Sequence, residues 1–192
     1  MTVIVQKPEF NLREKLSELD FGRVPYQKMP TGSIIQVKQK VITDRYSESV
    51  PAGNASGGPY GNIVSSETIS PRFMNSKILI MMNLQIGASH DGNISVTLHR
   101  NGILMSDAIG PNVGSRTPVT STEFTSSSSR QVQMNVTYID SPESTDEQSY
   151  GFRFSTAENG TISVYLNRDN NFGGSYHTQK PISTITLIEV SG

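Results

Sequence analysis

The chain has 192 residues, 34% of them hydrophobic and 17% charged, with a formal net charge of −1. That length suits one domain with an appended arm, and the near-neutral charge excludes the basic face of a nucleic-acid binder. The lack of cysteine excludes disulfides, thiolate metal sites and cysteine nucleophiles together.

No apolar run approaches the roughly 18 residues of a membrane span. Lys7, Pro8 and Glu9 interrupt the apolar start at residues 2–5, so no secretory leader is read and synthesis in the cytosol is expected. Leu12, Leu16 and Leu19 then fall at i, i+4 and i+7, one apolar stripe on a short helix over residues 11–20. Asn11 with Glu14 three residues on forms a capping box, and Gly22 and Pro25 end the helix. A helix of about ten residues is marginal alone in water, so its stripe needs burial elsewhere. It either packs on the chain's own body or docks on a partner, and docking is the expectation. Residues 21–30 read as an ordered linker, stiffened by Pro25 and Pro30, with Phe21, Tyr26 and Met29 as apolar handles. The chain is thus divided into an attachment arm, 1–32, and a β-module, 33–192.

Within the module, Ile35, Val37, Gln39 and Val41 are expected on one face of a first strand. From 77 to 86, Ile78, Ile80, Met82, Leu84 and Ile86 share one face while Leu79 and Met81 take the other, so that strand is expected to be covered on both sides. Ile94, Val96 and Leu98 alternate with Ser95, Thr97 and His99, and Asn101-Gly102 predicts a type I′ hairpin turn. Val132, Met134, Val136 and Tyr138, then Tyr150, Phe152 and Phe154, continue the alternation. Asn159-Gly160 is a second hairpin signal before Ile162, Val164 and Leu166. A last strand over 182–190 carries Ile185 and Leu187 on one face and Ile182, Thr184, Thr186, Ile188 and Val190 on the other, which predicts a central position in its sheet. Eight or nine strands at this spacing predict an all-β fold, an antiparallel sandwich or barrel preceded by the amphipathic helix. Long polar loops are expected at 44–62, 106–130 and 167–181, where binding surfaces usually sit. Tyr46, Tyr60, Phe172 and Tyr176 are their aromatic residues and the candidate receptor-facing positions.

Ser-Lys-Ile-Leu-Ile at 76–80, Leu-His-Arg-Asn-Gly at 98–102 and Ser-Thr-Ile-Thr-Leu-Ile-Glu-Val at 183–190, in that order, resemble the small β-modules of tailed-bacteriophage virion proteins, notably those of marine and cyanobacterial phages. The resemblance spans about residues 33–192 and implies a trimeric jelly roll of the fibre-tip or tumour-necrosis-factor type. It also implies a non-enzymatic tail-fibre, head-fibre or capsid-decorating role in the virion, with no catalytic residues and no cofactor. The arm resembles a virion-attachment end. Leu12, Leu16, Leu19, Phe21 and Tyr26 would then be docking contacts to other virion proteins. An alternative role is a carbohydrate- or receptor-binding module acting in host adsorption.

Chemistry is sparse. His90, His99 and His177 are read as surface histidines, since a triad or three-histidine metal site needs them to converge with carboxylates. Asp140, Glu143, Asp146 and Glu147 are read as a solvated acidic loop or a weak Ca²⁺ site rather than a glycosidase pair, there being no tryptophan to stack a sugar. The glycine-rich run 53–61 has no Lys-Ser or Lys-Thr after it and is not a phosphate cradle.

Overall fold

The computed structural model describes residues 29–51, 60–113, 117–158, 160–171 and 179–192. The arm residues Leu12, Leu16, Leu19, Phe21 and Tyr26, and the loop aromatics Phe172 and Tyr176, lie outside the described residues.

Eleven strands are described: β1 (Ile34–Ile42), β2 (Tyr46–Val50), β3 (Ile63–Ile69), β4 (Lys77–Ala88), β5 (Gly92–Arg100), β6 (Ile103–Leu104), β7 (Ser121–Thr125), β8 (Gln131–Asp140), β9 (Gln148–Thr156), β10 (Ile162–Leu166) and β11 (Ser183–Val190). They form two antiparallel sheets. In the first, β4 pairs along one edge with β8 and along the other with two strands placed end to end, β11 on residues 77–83 and β10 on residues 86–88. β1 and β2 repeat the device outside them, β1 on β11 and β2 on β10. In the second sheet β9 lies between β3 and β5, and the far edge of β5 is shared by β6 and β7. Each sheet is therefore four strand positions wide. The two pack face to face through one core in which Ile78, Ile80, Leu84 and Ile86 of the first meet Ile94, Leu98, Tyr150, Phe152 and Phe154 of the second. These are the alternating positions that a half-buried strand turns inward.

The end-to-end arrangement needs a lock where the composite strands break, and Asn167 supplies it. Its backbone is left-handed (φ 58) and its side chain is buried. The Nδ2 group donates to the carbonyls of Ile42 (2.7 Å) and Asp44 (3.0 Å), at the β1–β2 break. Its Oδ1 accepts from the Ser183 hydroxyl at 2.7 Å, and that hydroxyl in turn accepts from the Gln85 backbone N–H at 2.9 Å. Gly87 makes this approach possible, because a Cβ there would lie 2.5 Å from the Arg168 carbonyl oxygen. A buried acid, Glu189, ties β1 and β11 to the 70–76 connection. It accepts from the Arg72 backbone N–H, the Ser76 hydroxyl and the Gln36 side-chain amide, each at 2.6 Å. Three donors replace the water a buried carboxylate would lose.

The all-β antiparallel sandwich is as expected, as are the inward face of β4 and the central place of β11 between β1 and β4. The Asn101-Gly102 turn has both φ values positive, 53 and 79, as a type I′ turn requires, and β6 returns along β5 through it. Four expectations are corrected. The register shifts between Ile34 and Gln36, so Ile35 is buried while Val37 and Val41 face out. The passage from β9 to β10 crosses between sheets instead of forming a hairpin. The span read as a loop at 44–62 contains β2, so Tyr46 opens a strand and packs partly against the core. His99 is buried, at 2% exposure, and is not a surface histidine.

Candidate functional site

The inward rows of both sheets end in polar residues at one end of the sandwich. On β5 the series Ile94, Val96, Leu98 is continued by Arg100, and on β8 the series Met134, Val136 is continued by Tyr138 and Asp140. The Arg100 guanidinium donates from Nη1 to both Asp140 oxygens, at 3.0 and 2.8 Å, and so bridges the two sheets. The Tyr150 hydroxyl of β9 donates to the same carboxylate at 2.6 Å. Burial raises the Tyr150 phenol pKa, and the bond to Asp140 adds to it, so this hydroxyl keeps its proton. The acidic loop of the sequence reading therefore begins with a paired structural acid. Asp140 is spent on Arg100 and Tyr150 and is not free to act as a glycosidase carboxylate.

A cleft of about 320 Å³ opens above this ion pair. One wall is the β5–β6 hairpin and the 3-10 turn Ser106–Ala108, and the other is the connection from β8 to β9 with Pro142 and Ser144. Both walls are pinned. Asn101 donates from Nδ2 to Gln148 Oε1 (2.9 Å) and accepts at Oδ1 from the Ser149 N–H (2.8 Å). Gln148 reaches the Asp146 carbonyl, and the Asp146 N–H reaches Ser144 Oγ. Tyr138 lines the cleft half-buried. Its phenol pKa is raised by burial first and then by the charges of Asp107 and Asp140, so it too presents a neutral hydroxyl.

A second polar group lies on the outer face of the second sheet. Ser95, Thr97 and His99 are all buried there. Tyr60 stands edge-on to the His99 ring with centroids 6.1 Å apart, and its hydroxyl lies 3.5 Å from the Pro118 carbonyl oxygen. Thr120 seals the edge of β5 between β6 and β7, its N–H donating to Val96 and its hydroxyl accepting from the Leu98 N–H. Burial, then the nearby Arg153 charge, lowers the His99 pKa, so the ring is neutral. Nε2 of His99 lies 3.0 Å from the Thr97 hydroxyl. Tyr60 is thus a cover over its own sheet, and nothing brings it together with Tyr46, whose phenol pKa is raised by burial and by Glu48.

In the first sheet residues 168–170 cover the outer face only at the β10 end, over Gly87 and Tyr165, and β8, β4, β11 and β1 have no such cover among the described residues. Reading its outer face across the register, Ile139, Leu79, Ile188 and Val37 form one apolar row through all four strand positions. The rows beside it hold Thr137, Met81, Thr186 and Gln39, then Asn135, Asn83, Thr184 and Val41. Ile139 is 58% exposed and Val37 54%. Beyond Lys77 at its rim this part of the face carries no charge, whereas at the β10 end the Arg168 guanidinium lies 4.2 Å over the Tyr165 ring.

Sequence reasoning missed Arg100, Asp107, Tyr138, Asp140 and Tyr150 as a group. The available signal was register: a charge that continues an inward apolar series on two strands predicts an inter-sheet pair. Among the described residues no group of three His, Asp or Glu gathers to hold a metal.

No protein-family model matches the chain, and no curated protein sequence matches it. Among solved structures, the sandwich is similar to the VP2 subviral particle of infectious bursal disease virus, at 16% identity and a TM-score of 0.41, over 82% of this chain and 37% of that one. The Gx strain of the same virus gives 13% identity and a TM-score of 0.40, over 82% of this chain and 41% of that one. Latent PorU from Porphyromonas gingivalis gives 13% and 0.30, over 84% of this chain and 14% of that one. The chain spans about two fifths or less of each of these proteins, and at such scores the likenesses carry no argument about it.

Proposed function

We propose that this chain is a non-enzymatic structural protein of a tailed-bacteriophage virion, a short fibre or capsid-decorating protein that displays a trimeric β-module. The observation that carries the reading is the uncharged outer face of the first sheet over β8, β4, β11 and β1. An antiparallel sheet facing water normally alternates apolar-in with charged or polar-out. Here 17% of the chain is charged, yet the outer rows of four strand positions hold only Thr, Asn, Gln and aliphatic residues inside the rim. Depletion of charge marks the buried centre of an interface.

The strand wiring supports the same reading. With β1–β2, β6–β7 and β10–β11 each counted as one composite strand, the two sheets run first, eighth, third, sixth and second, seventh, fourth, fifth in chain order. That is the order of a jelly roll.

Magnitude gives the arm its part. Four strand positions about 4.8 Å apart and about seven residues at 3.3 Å give a patch of roughly 450 Å² in projection. A standard interface takes about 800 Å² from each partner, so the face alone supplies modest affinity. Burial of Leu12, Leu16 and Leu19 at the particle, with Phe21 and Tyr26 setting the exit of residues 1–32, would add about 1.5–3 kcal/mol each before ordering costs. Three arms per trimer multiply the attachment. Leu16→Asp is expected to abolish incorporation into particles while leaving the sandwich's circular dichroism unchanged. Normal incorporation of that variant contradicts the reading.

A further inference from the structure

From the end cleft we propose a second activity, independent of the assembly just described: it binds a neutral saccharide, a terminal hexose or short uncharged glycan. The size fits, because about 320 Å³ lies at the small end of ligand sites.

The lining selects the chemistry. Ile103, Leu104 and Met105 form an apolar strip along one wall, and Ile103 is left 73% exposed at the mouth. The polar lining is supplied by Arg100, Ser106 and Asp107 on the same side and by Tyr138 and Ser144 from β8 and the connection that follows it. A sugar ring has the matching halves, a C–H face for the strip and a rim of hydroxyls that both donate and accept.

Charge decides against an anion. Asp140 already neutralises Arg100, through Nη1, while 37% of the Arg100 side chain remains exposed to offer donors. Asp107 adds a negative charge with no cation paired to it in the lining, so a sialylated or sulfated group would be repelled. Rigidity completes the case. Arg100 cannot swing without breaking the inter-sheet pair, and Asn101 and the 144–148 connection are stitched together. Glu143, beside the cleft, holds a left-handed backbone (φ 51) that a non-glycine residue adopts at a cost. A pre-formed site spends less of its binding energy on ordering. Neither Tyr46 nor Tyr60 lines the cleft.

The test applies the full-length protein to an array bearing neutral, sialylated and sulfated glycans and unglycosylated peptide controls. Binding is expected on neutral hexose-terminated glycans. It should fall at least about tenfold in Asp107→Ala, which removes an acceptor, and in Ser106→Trp, which fills the cleft. Both positions are exposed, so the thermal midpoint should not move. The proposal is overturned by no glycan signal, by a preference for acidic glycans or peptides, or by neutral-glycan binding that both variants retain.

Discussion

The two sheets finish their outer faces in opposite ways. The second is closed by the chain itself: Tyr60 leans on His99, its hydroxyl approaches Pro118, and Thr120 fills the strand edge, so even Ser95 and Thr97 are buried. The first is left open over β8, β4, β11 and β1, with Ile139 and Val37 more than half exposed in an apolar row. Over β5 polar residues therefore lie buried on one outer face, and over β8, β4, β11 and β1 apolar residues lie bare on the other. Side-chain type alone does not say which face is a finished surface. What lies over it does.

The largest expected effect comes from placing a charge on the closed face. Thr97→Lys puts an ammonium at a position with no exposure, beside Arg153, and is expected to cost about 3 kcal/mol or more in a urea titration. A smaller loss follows at the end cleft, where Asp140→Ala strands the buried Tyr150 hydroxyl and the half-exposed Arg100. About 2 kcal/mol is expected by the same titration, with Asp140→Asn recovering part of it.

Smaller again is the pH response of His99. Its folded pKa lies below the unfolded value of 6.5, so the unfolded chain takes up the proton first. The stability that neutral His99 contributes is complete above pH 6.5 and declines as pH falls through that value. His99→Gln should flatten the decline between pH 7 and 5 in thermal melts, and an unchanged pH profile would place the ring in water. The smallest effect on folding belongs to the open face. In the single chain, at concentrations too low for assembly, Leu79→Lys and Ile188→Lys at half-buried positions should change the unfolding free energy by no more than about 1 kcal/mol.

The contrast between the faces was partly legible in the sequence. Alternation identified the inward rows of β4, β5, β9 and β11, because those strands bury one full face in the core. It placed Leu79, Met81 and Ile188 on the opposite side, where they are. Sequence could not give β2 and β3, in which Ser-Glu-Ser and Ser-Ser-Glu-Thr interrupt any period and the strands are defined by pairing with β10 and β9. Nor could it place Val37, whose side is reversed by the shift between Ile34 and Gln36. His99 did point away from the core as its alternation implied. Its burial comes from Tyr60, 39 positions earlier, which is a tertiary event. The cleft was obscured for a related reason: Asp140 reads with its acidic neighbours along the chain, whereas its partners Arg100 and Tyr150 come from two other strands.

The most direct test of the open face is the solution mass of the full chain by light scattering over a concentration series, beside the Leu79→Lys, Ile188→Lys double variant. The wild type should have about three times the 21.0-kDa chain mass and the folded variant a single chain's mass. Equal masses for the two would contradict the account: two monomers would leave the apolar row uncovered by copies of the chain, and two trimers would put the threefold contact elsewhere.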